Sequence, residues 1–166
     1  VQVAWRTSQG QQLALIDPLA VDVTVLDALF SSDALCVIHA AQQDLDVLTH
    51  AVCDALLGAA ALGDIGQHFP DSDPAYKDIC SLELLARTWR MVGQRGLAVV
   101  NLDATVFAQA PKLAPFRDAI CRRLAGVLNV APDRVNLKAT TTEGLGMIGA
   151  GDGIAAMCVA LLHEVS

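Results

Sequence analysis

Three consecutive threonines followed by two glycines near the end of the chain are the feature that most limits the fold. Residues 138–146 hold Lys138, Ala139, this threonine run, Glu143, Gly144, Leu145 and Gly146. The β-branched run favours a strand, and the glycines allow a sharp turn where the strand ends. Hydroxyls, backbone N–H groups and the Lys138 amine would then surround one point, which suits phosphate oxygens, and Glu143 could hold a divalent cation. An edge strand of threonines with an ordinary glycine turn fits the same pattern.

The rest of the chain predicts helices and strands in alternation. Helices are expected near residues 44–63, 81–96 and 115–128, and strands near 13–16, 36–38, 97–109 and 135–142. A further helix is expected at 23–30, while 154–162 is apolar throughout and fits a strand or a helix by pattern alone. Residues 64–74 are too rich in acid, glycine and proline for regular structure, and 149–153 are interpreted as a turn. Such alternation indicates an α/β fold in which helices cover one sheet.

Composition limits the class of protein. The chain has 166 residues, 54% of them hydrophobic but only 4% aromatic, so its core should consist of small and branched aliphatic side chains. A net charge of −7 without a basic patch argues against a nucleic-acid partner. Five widely spaced cysteines without a CxxC pair indicate free thiols in a reducing compartment. No apolar run is long enough to cross a membrane and no signal-like start is present, so we expect a cytoplasmic protein.

The long helix carries an acidic face. Asp46, His50 and Asp54 are spaced by four residues and share one side of the helix. These side chains could contribute to a metal site. Alternatively, Asp44 and Asp46 cap the helix and His50 is satisfied by a neighbouring carboxylate.

Residues 1–45 resemble a fragment of the exonuclease domain of the ribonuclease D family. The likeness rests on residues 14–19 and 39–45, which include Asp17, Pro18, His39 and Asp44. That family binds two metal ions with four acidic residues, of which only Asp44 has a counterpart here, so nuclease activity is not expected. We therefore interpret residues 1–43 as an atypical N-terminal segment and residues 44–166 as a separate domain, so that the chain has the character of a chimera.

From Asp44 onward the chain resembles 2-C-methyl-D-erythritol 2,4-cyclodiphosphate synthase, an enzyme of non-mevalonate isoprenoid biosynthesis. The likeness covers about three quarters of the chain. The motifs that carry it are Asp44-x-Asp46-Val47-x-x-His50-Ala51, residues 54–66, Phe69-Pro70-Asp71-x-Asp73-Pro74, residues 108–112, and Lys138-Ala139-Thr140-Thr141-Thr142-Glu143-x-Leu145-Gly146.

This resemblance implies a homotrimer of α/β subunits, each with a single mixed sheet packed against helices, in which residues 154–162 form a strand and active sites lie between neighbours. It implies a phosphorus–oxygen lyase that cyclises 4-diphosphocytidyl-2-C-methyl-D-erythritol 2-phosphate and releases CMP, with zinc and magnesium or manganese as metals. Thr141 would be catalytic, and His50 and Glu143 would bind metal. Substrate would be bound by Asp64, Ile65, Gly66, Phe69, Pro70, Asp71, Ser72, Asp73, Ala108, Gln109, Ala110, Pro111, Lys112, Thr140, Thr142 and Met147, the segment 108–112 holding the cytidine.

Several positions depart from the family pattern. The Asp-x-His motif that supplies two zinc ligands is absent from residues 1–49, and a catalytic zinc normally has three protein ligands. Gln42 and Gln43 replace a His and a Ser, and Ala150 replaces a phosphate-facing Arg. We therefore expect impaired turnover with retained cytidine nucleotide binding. A non-catalytic trimer that binds cytidine nucleotides and a nuclease relic are the alternatives.

Overall fold

The computed structural model describes residues 2–7, 10–15 and 39–165, with side chains from residue 45 to residue 165. The chain divides into two compact units, Val1–Gln43 and Asp44–Ser166. In the first unit, strands β1 (Gln2–Thr7) and β2 (Gly10–Leu15) form an antiparallel hairpin in which Gln2 lies opposite Leu15. The predicted strand at 13–16 therefore overlaps the end of β2, and β1 was not predicted. The helix expected at 23–30 and the strand at 36–38 lie outside the described residues.

The elements that follow alternate as the sequence predicts. They are α1 (His39–Ala59), α2 (Ile65–His68), a 3-10 turn (Pro74–Tyr76), α3 (Ser81–Gln94), β3 (Leu97–Phe107), a 3-10 turn (Ala114–Phe116), α4 (Arg117–Leu128), a 3-10 turn (Pro132–Arg134), β4 (Val135–Thr140), α5 (Gly146–Ala150) and β5 (Ala155–Glu164).

Strands β3, β4 and β5 form one mixed sheet with β3 in the centre. β3 runs parallel to β4 and antiparallel to β5, and α4 makes the crossover between the two parallel strands. Alternate residues of β3 are buried, namely Leu102, Ala104 and Val106, because α3 and α4 pack against this side of the sheet. The prediction of an α/β fold with a single mixed sheet covered by helices is confirmed.

Leucine and valine side chains fill the core. Leu48, Val52 and Leu56 of α1 recur every four residues and are almost completely buried, so they form one apolar stripe. Cys53 lies beside this stripe, and burial raises the pKa of its thiol to about 11. The cysteines at 53, 80, 121 and 158 are all free, in agreement with the sequence-based expectation.

The long helix starts and ends earlier than predicted. α1 begins at His39, so Asp44 and Asp46 lie within the helix and do not cap it. It ends at Ala59, four residues before Gly63, the expected stop. The turn is spread over two positions with positive φ, Ala61 at 53° and Gly63 at 87°, which shows that the chain leaves the helix before the glycine.

The segment at 64–74 is more regular than its composition indicated. Asp64 caps the single turn of α2 by accepting the Gln67 N–H, and Asp73 caps the 3-10 turn by accepting the Ala75 N–H. Helix α3 begins at Ser81, where the sequence predicts it. Cys80 holds the capping position without a side-chain hydrogen bond, and Ser81 is the first helical residue.

The end of the chain resolves an ambiguity of the sequence. Residues 155–164 form strand β5, as the family resemblance implied and as the apolar pattern alone could not decide. The interpretation of 149–153 as a turn is correct only in part, because Gly149 and Ala150 belong to helix α5 and the chain turns at Gly151, where φ is 82°.

None of the helices in the described ranges is both long and apolar enough to cross a membrane. A cytoplasmic location stays a prediction.

Candidate functional site

Two predicted site segments meet at one edge of the sheet. Because β3 and β4 are parallel, both end on the same side, where Phe107 lies opposite Thr140. The Ala108 N–H donates to the Thr140 carbonyl oxygen across 3.0 Å, so the pairing continues one residue beyond β3. The predicted cytidine segment at 108–112 therefore begins beside the threonine turn. Ala108 is buried, whereas Gln109, Ala110 and Lys112 are exposed after it.

The threonine turn is held by its own side chains. The Thr141 hydroxyl donates to Glu143 Oε1 at 3.1 Å, and the Thr142 hydroxyl donates to the Leu145 carbonyl at 2.7 Å. Glu143 and Gly144 have φ of 52° and 80°, which is the sharp turn expected from the glycines. The turn presents Thr141 and Glu143 to solvent next to a strand end, so a hydroxyl and a carboxylate are available to a ligand there.

Lys138 does not join this turn. Its Nζ lies 2.7 Å from Asp103 Oδ2, and the Asn136 amide donates to Asp103 Oδ1 at 2.8 Å. The Arg117 guanidinium extends the network by donating to Asn136 Oδ1 and to the Leu137 carbonyl. These hydrogen bonds lower the pKa of Asp103 below its ordinary value of 3.8. The inclusion of Lys138 among phosphate-binding groups is therefore corrected, because the amine already pairs with a carboxylate on the sheet.

The predicted methylerythritol segment, residues 64–66, forms a tightly bonded turn. Asp64 accepts the Gln67 N–H at 2.9 Å and the Gln67 side-chain amide at 2.7 Å, and these bonds lower the pKa of Asp64. The Ile65 N–H donates to Asp54 Oδ1 at 2.8 Å. His68 Nε2 lies 2.7 Å from the Leu62 carbonyl oxygen. Each end of the segment is thus fixed before any ligand binds.

Residues 69–73 are anchored through an aromatic group. Phe69 is buried and contacts Tyr76 edge to face at 5.4 Å between ring centroids, and the Arg87 guanidinium lies 5.9 Å from the Tyr76 ring centroid. Pro70, Asp71 and Ser72 remain exposed between these anchors. The exposed residues are the ones that a substrate could reach, whereas Phe69 supports the segment from the core.

The predicted metal ligands His50 and Glu143 lie on different elements and both are exposed. Among residues 45–165, no three His, Cys, Asp or Glu side chains converge on one point. Zinc normally takes at least three protein ligands, so these residues do not by themselves form a zinc site. Within residues 45–165, one hydrogen bond joins Ala108 to the threonine turn, and another joins Asp54 of α1 to Ile65. No described hydrogen bond joins the first pair of segments to the second pair.

Sequence reasoning missed two residues that shape the candidate site. Asp54 was noted only as a member of the acidic helix face, although it lies ten residues before Asp64 and could reach the turn that follows the helix. Gly149 was treated as a turn residue, although its α-carbon lies so close to the backbone of Gly144 that a Cβ there would come within 2.2 Å of the Gly144 carbonyl carbon.

Comparison with known proteins adds an independent result. The model of the YgbB family matches residues 25–163. The 2-C-methyl-D-erythritol 2,4-cyclodiphosphate synthase of Pelotomaculum thermopropionicum is 59% identical over 121 residues, which cover 73% of this chain and 75% of that protein. The enzyme of the same name from Thioalkalivibrio sulfidiphilus is 58% identical over 125 residues, or 75% of this chain and 78% of that protein. These matches do not support the ribonuclease D resemblance, and the family match extends into the segment to which it was assigned.

Solved structures agree with these relatives. The bifunctional IspDF of Campylobacter jejuni superposes with a TM-score of 0.70 and 42% identity over 72% of this chain, although this chain spans only 32% of that longer protein. A CDP complex of IspF from Plasmodium falciparum superposes with a TM-score of 0.64 and 28% identity, covering 72% of each chain.

Proposed function

Since this chain belongs to the YgbB family, whose relatives described above are 2-C-methyl-D-erythritol 2,4-cyclodiphosphate synthases, we propose that it cyclises 4-diphosphocytidyl-2-C-methyl-D-erythritol 2-phosphate. The products are 2-C-methyl-D-erythritol 2,4-cyclodiphosphate and CMP. The protein would thus act as a phosphorus–oxygen lyase in isoprenoid biosynthesis.

The reaction is an internal phosphoryl transfer. An oxygen of the 2-phosphate forms a bond to the β-phosphorus of the diphosphate, and the bond from that phosphorus to the bridging oxygen breaks. The electron pair stays on the bridging oxygen, which leaves as part of CMP. Such a transfer requires mainly that the phosphates are held in line and that donors meet the charge on the phosphoryl oxygens.

The observation that carries the proposal is the hydrogen bond between the Ala108 N–H and the Thr140 carbonyl. It joins the segment 108–112, proposed to hold the cytidine, to the threonine turn, proposed to contact the phosphates. A nucleotide needs two such subsites side by side, because its diphosphate is attached directly to the nucleoside.

Thr141 is the proposed catalytic residue. Its hydroxyl donates to Glu143 Oε1 in the unliganded turn, and on substrate binding it would exchange this acceptor for an oxygen of the transferring phosphoryl group. Thr140, Thr142 and Met147 would line the same end of the site. The turn at 64–66 and the neighbouring residues 70–73 would bind the methylerythritol part.

We also propose that the protein is a homotrimer with its sites between subunits. Supporting this, Met157, Val159 and Leu161 of β5 are 66%, 71% and 56% exposed on the side of the sheet that faces away from the helices. A row of exposed apolar side chains on one sheet face is typical of a surface that another subunit covers.

Zinc at His50 and magnesium or manganese at Glu143 remain predictions. Zinc at His50 would need ligands beyond the described side chains, since residues 45–165 hold no group of three candidate ligands.

The proposal is tested by incubating the protein with the diphosphocytidyl substrate and a divalent metal and measuring CMP by chromatography, with CDP binding measured by calorimetry. CMP release together with the cyclic diphosphate supports the proposal. Binding of CDP without any turnover would favour the non-catalytic alternative, and absence of both would contradict the assignment of residues 108–112 and 140–142.

A further inference from the structure

Asp54 links the long helix to the predicted methylerythritol segment, residues 64–66. It lies on the exposed side of α1, and its Oδ1 accepts the Ile65 N–H at 2.8 Å. We propose that Asp54 is a positioning residue that holds the backbone of residues 64–66 in the geometry required by the methylerythritol part of the substrate. This inference rests on the proposed function, which it extends to a residue outside the predicted site.

The bond is one of two carboxylate caps on the same helical turn. Ile65 is the first residue of α2, and its N–H has no partner within so short a helix. Asp54 satisfies this N–H, while Asp64 satisfies the N–H of Gln67, two residues further on. Asp64 belongs to the turn itself, whereas Asp54 lies on α1. The Asp54 bond therefore fixes the turn relative to the helix.

The turn has close contacts on both sides of Ile65. Gly63 has a φ of 87°, and a Cβ there would approach the Gln67 side-chain amide within 2.5 Å. His68 closes the other side through the Leu62 carbonyl. Asp64 and Gly66 are bonded directly to Ile65, so a shift at Ile65 would carry both with it.

The position of Asp54 on the helix also connects two parts of the proposed site. His50 precedes Asp54 by four residues, or about 6 Å along the helix, on the same face. The hydrogen bond between Asp54 and Ile65 therefore fixes the distance between the helical turn of α1 that carries His50 and the segment 64–66. Groups that bind one substrate must keep such distances within about half an ångström.

A positioning role is distinguishable from direct contact with substrate. The Ile65 N–H needs an acceptor oxygen, which the side-chain amide of asparagine also supplies, although without the charge. Asp54→Asn should therefore keep the bond, and Asp54→Ala should remove it. If Asp54 instead touched the substrate or a metal through its charge, both substitutions would be equally harmful.

The experiment compares the wild type, Asp54→Asn, Asp54→Ala and the matched control Asp133→Ala, an exposed aspartate in the 3-10 turn before β4. We expect Asp54→Ala to raise KM for the diphosphocytidyl substrate about tenfold with a smaller change in kcat, since one charged hydrogen bond is lost. CDP affinity should stay unchanged, because CDP lacks the methylerythritol part. Asp54→Asn and Asp133→Ala should behave like the wild type.

Hydrogen exchange supplies a readout that does not depend on turnover. The Ile65 amide should exchange roughly tenfold faster in Asp54→Ala than in the wild type or in Asp54→Asn. Unchanged exchange in Asp54→Ala, an unchanged KM, equal loss of CDP affinity, or equal damage in Asp54→Asn would each overturn the proposal. A wild-type protein without CMP release would contradict the proposed function instead, and exchange at Ile65 would still decide whether Asp54 holds the turn.

Discussion

Among single side chains, Thr141 has two roles that a substitution must separate. Its hydroxyl donates to Glu143 and also accepts the Glu143 N–H at 3.4 Å, so it shapes the turn as well as facing the proposed phosphates. We expect Thr141→Ala to lower the rate of CMP release on the order of a hundredfold, because one preorganised donor to a developing charge is worth about 3 kcal/mol. Thr141→Ser should retain most of the rate. Equal loss in both variants, or normal turnover in Thr141→Ala, would contradict a role for the hydroxyl.

The Asp103 network allows a prediction on pH dependence. Hydrogen bonds from Lys138 and Asn136 lower the pKa of Asp103 below 3.8 in the folded protein. The ionised carboxylate therefore contributes to stability at neutral pH, and this contribution is lost as the pH falls through the lowered pKa. Lys138→Met should raise the pKa of Asp103 towards 3.8, measured by carboxyl chemical shifts in NMR titrations, while Lys112→Met should leave it unchanged. A value that stays low in Lys138→Met would exclude Lys138 as its main cause.

For individual residues, the sequence predicted backbone conformation better than it predicted hydrogen-bond partners. The turn at Gly144 follows directly from the preference of glycine for positive φ, and it is confirmed. By contrast, Lys138 was assigned to phosphate, because the sequence does not show that Asp103 lies on the adjacent strand 35 residues away. The same holds for Asp54, whose partner is a backbone N–H that no side-chain pattern reveals.

Between elements, helix α5 packs closely against the threonine turn. A Cβ at Gly149 would come within 2.2 Å of the Gly144 carbonyl carbon, which is backbone and cannot move aside alone. Gly149→Ala should therefore displace the turn, lower the free energy of unfolding by about 1–3 kcal/mol and reduce CMP release.

Gly126→Ala in α4 is the matched control. A Cβ at Gly126 meets nothing within 4 Å, and alanine favours a helix by up to about 1 kcal/mol over glycine. Denaturant unfolding should show this variant to be as stable as the wild type or more so. If Gly149→Ala were equally stable and fully active, the close packing of α5 on the turn would not matter for the site.

Element types were predictable where the periodicity was clear, and the boundaries were less so. α3, β3, α4 and β4 lie where apolar spacing placed them, because each buries one face. The start of α1 was missed by five residues, since aspartates at 44 and 46 resemble caps although they lie inside the helix. β5 needed the family resemblance, because an unbroken apolar run contains no period that distinguishes a strand from a helix.

For the subunit as a whole, the two faces of the sheet differ in what covers them. Helices bury Leu102, Ala104 and Val106 on one face, whereas Met157 and Val159 stand exposed on the other. The aliphatic character of both faces agrees with a sequence that is 54% hydrophobic but only 4% aromatic. The exposed apolar row could not be predicted from composition, because it depends on the register that brings Val159 opposite Asp103.

This asymmetry leads to a prediction about assembly. Val159→Glu would place a second carboxylate beside Asp103 in the proposed subunit interface, where desolvation and like-charge repulsion would both oppose association. Light scattering should show three 17.4 kDa chains per particle for the wild type and one for this variant. Gln94→Glu adds the same charge at the exposed end of α3 and should remain trimeric.

Loss of the trimer should remove CMP release as well, because the proposed sites lie between subunits and a monomer would hold only part of each. Hydrogen exchange in β3 and β4 of the Val159→Glu variant should remain slow, since the helices still cover the opposite face of the sheet. A Val159→Glu protein that stays trimeric would show that the β5 face is not the interface. A monomer with full turnover would show that each chain carries a complete site.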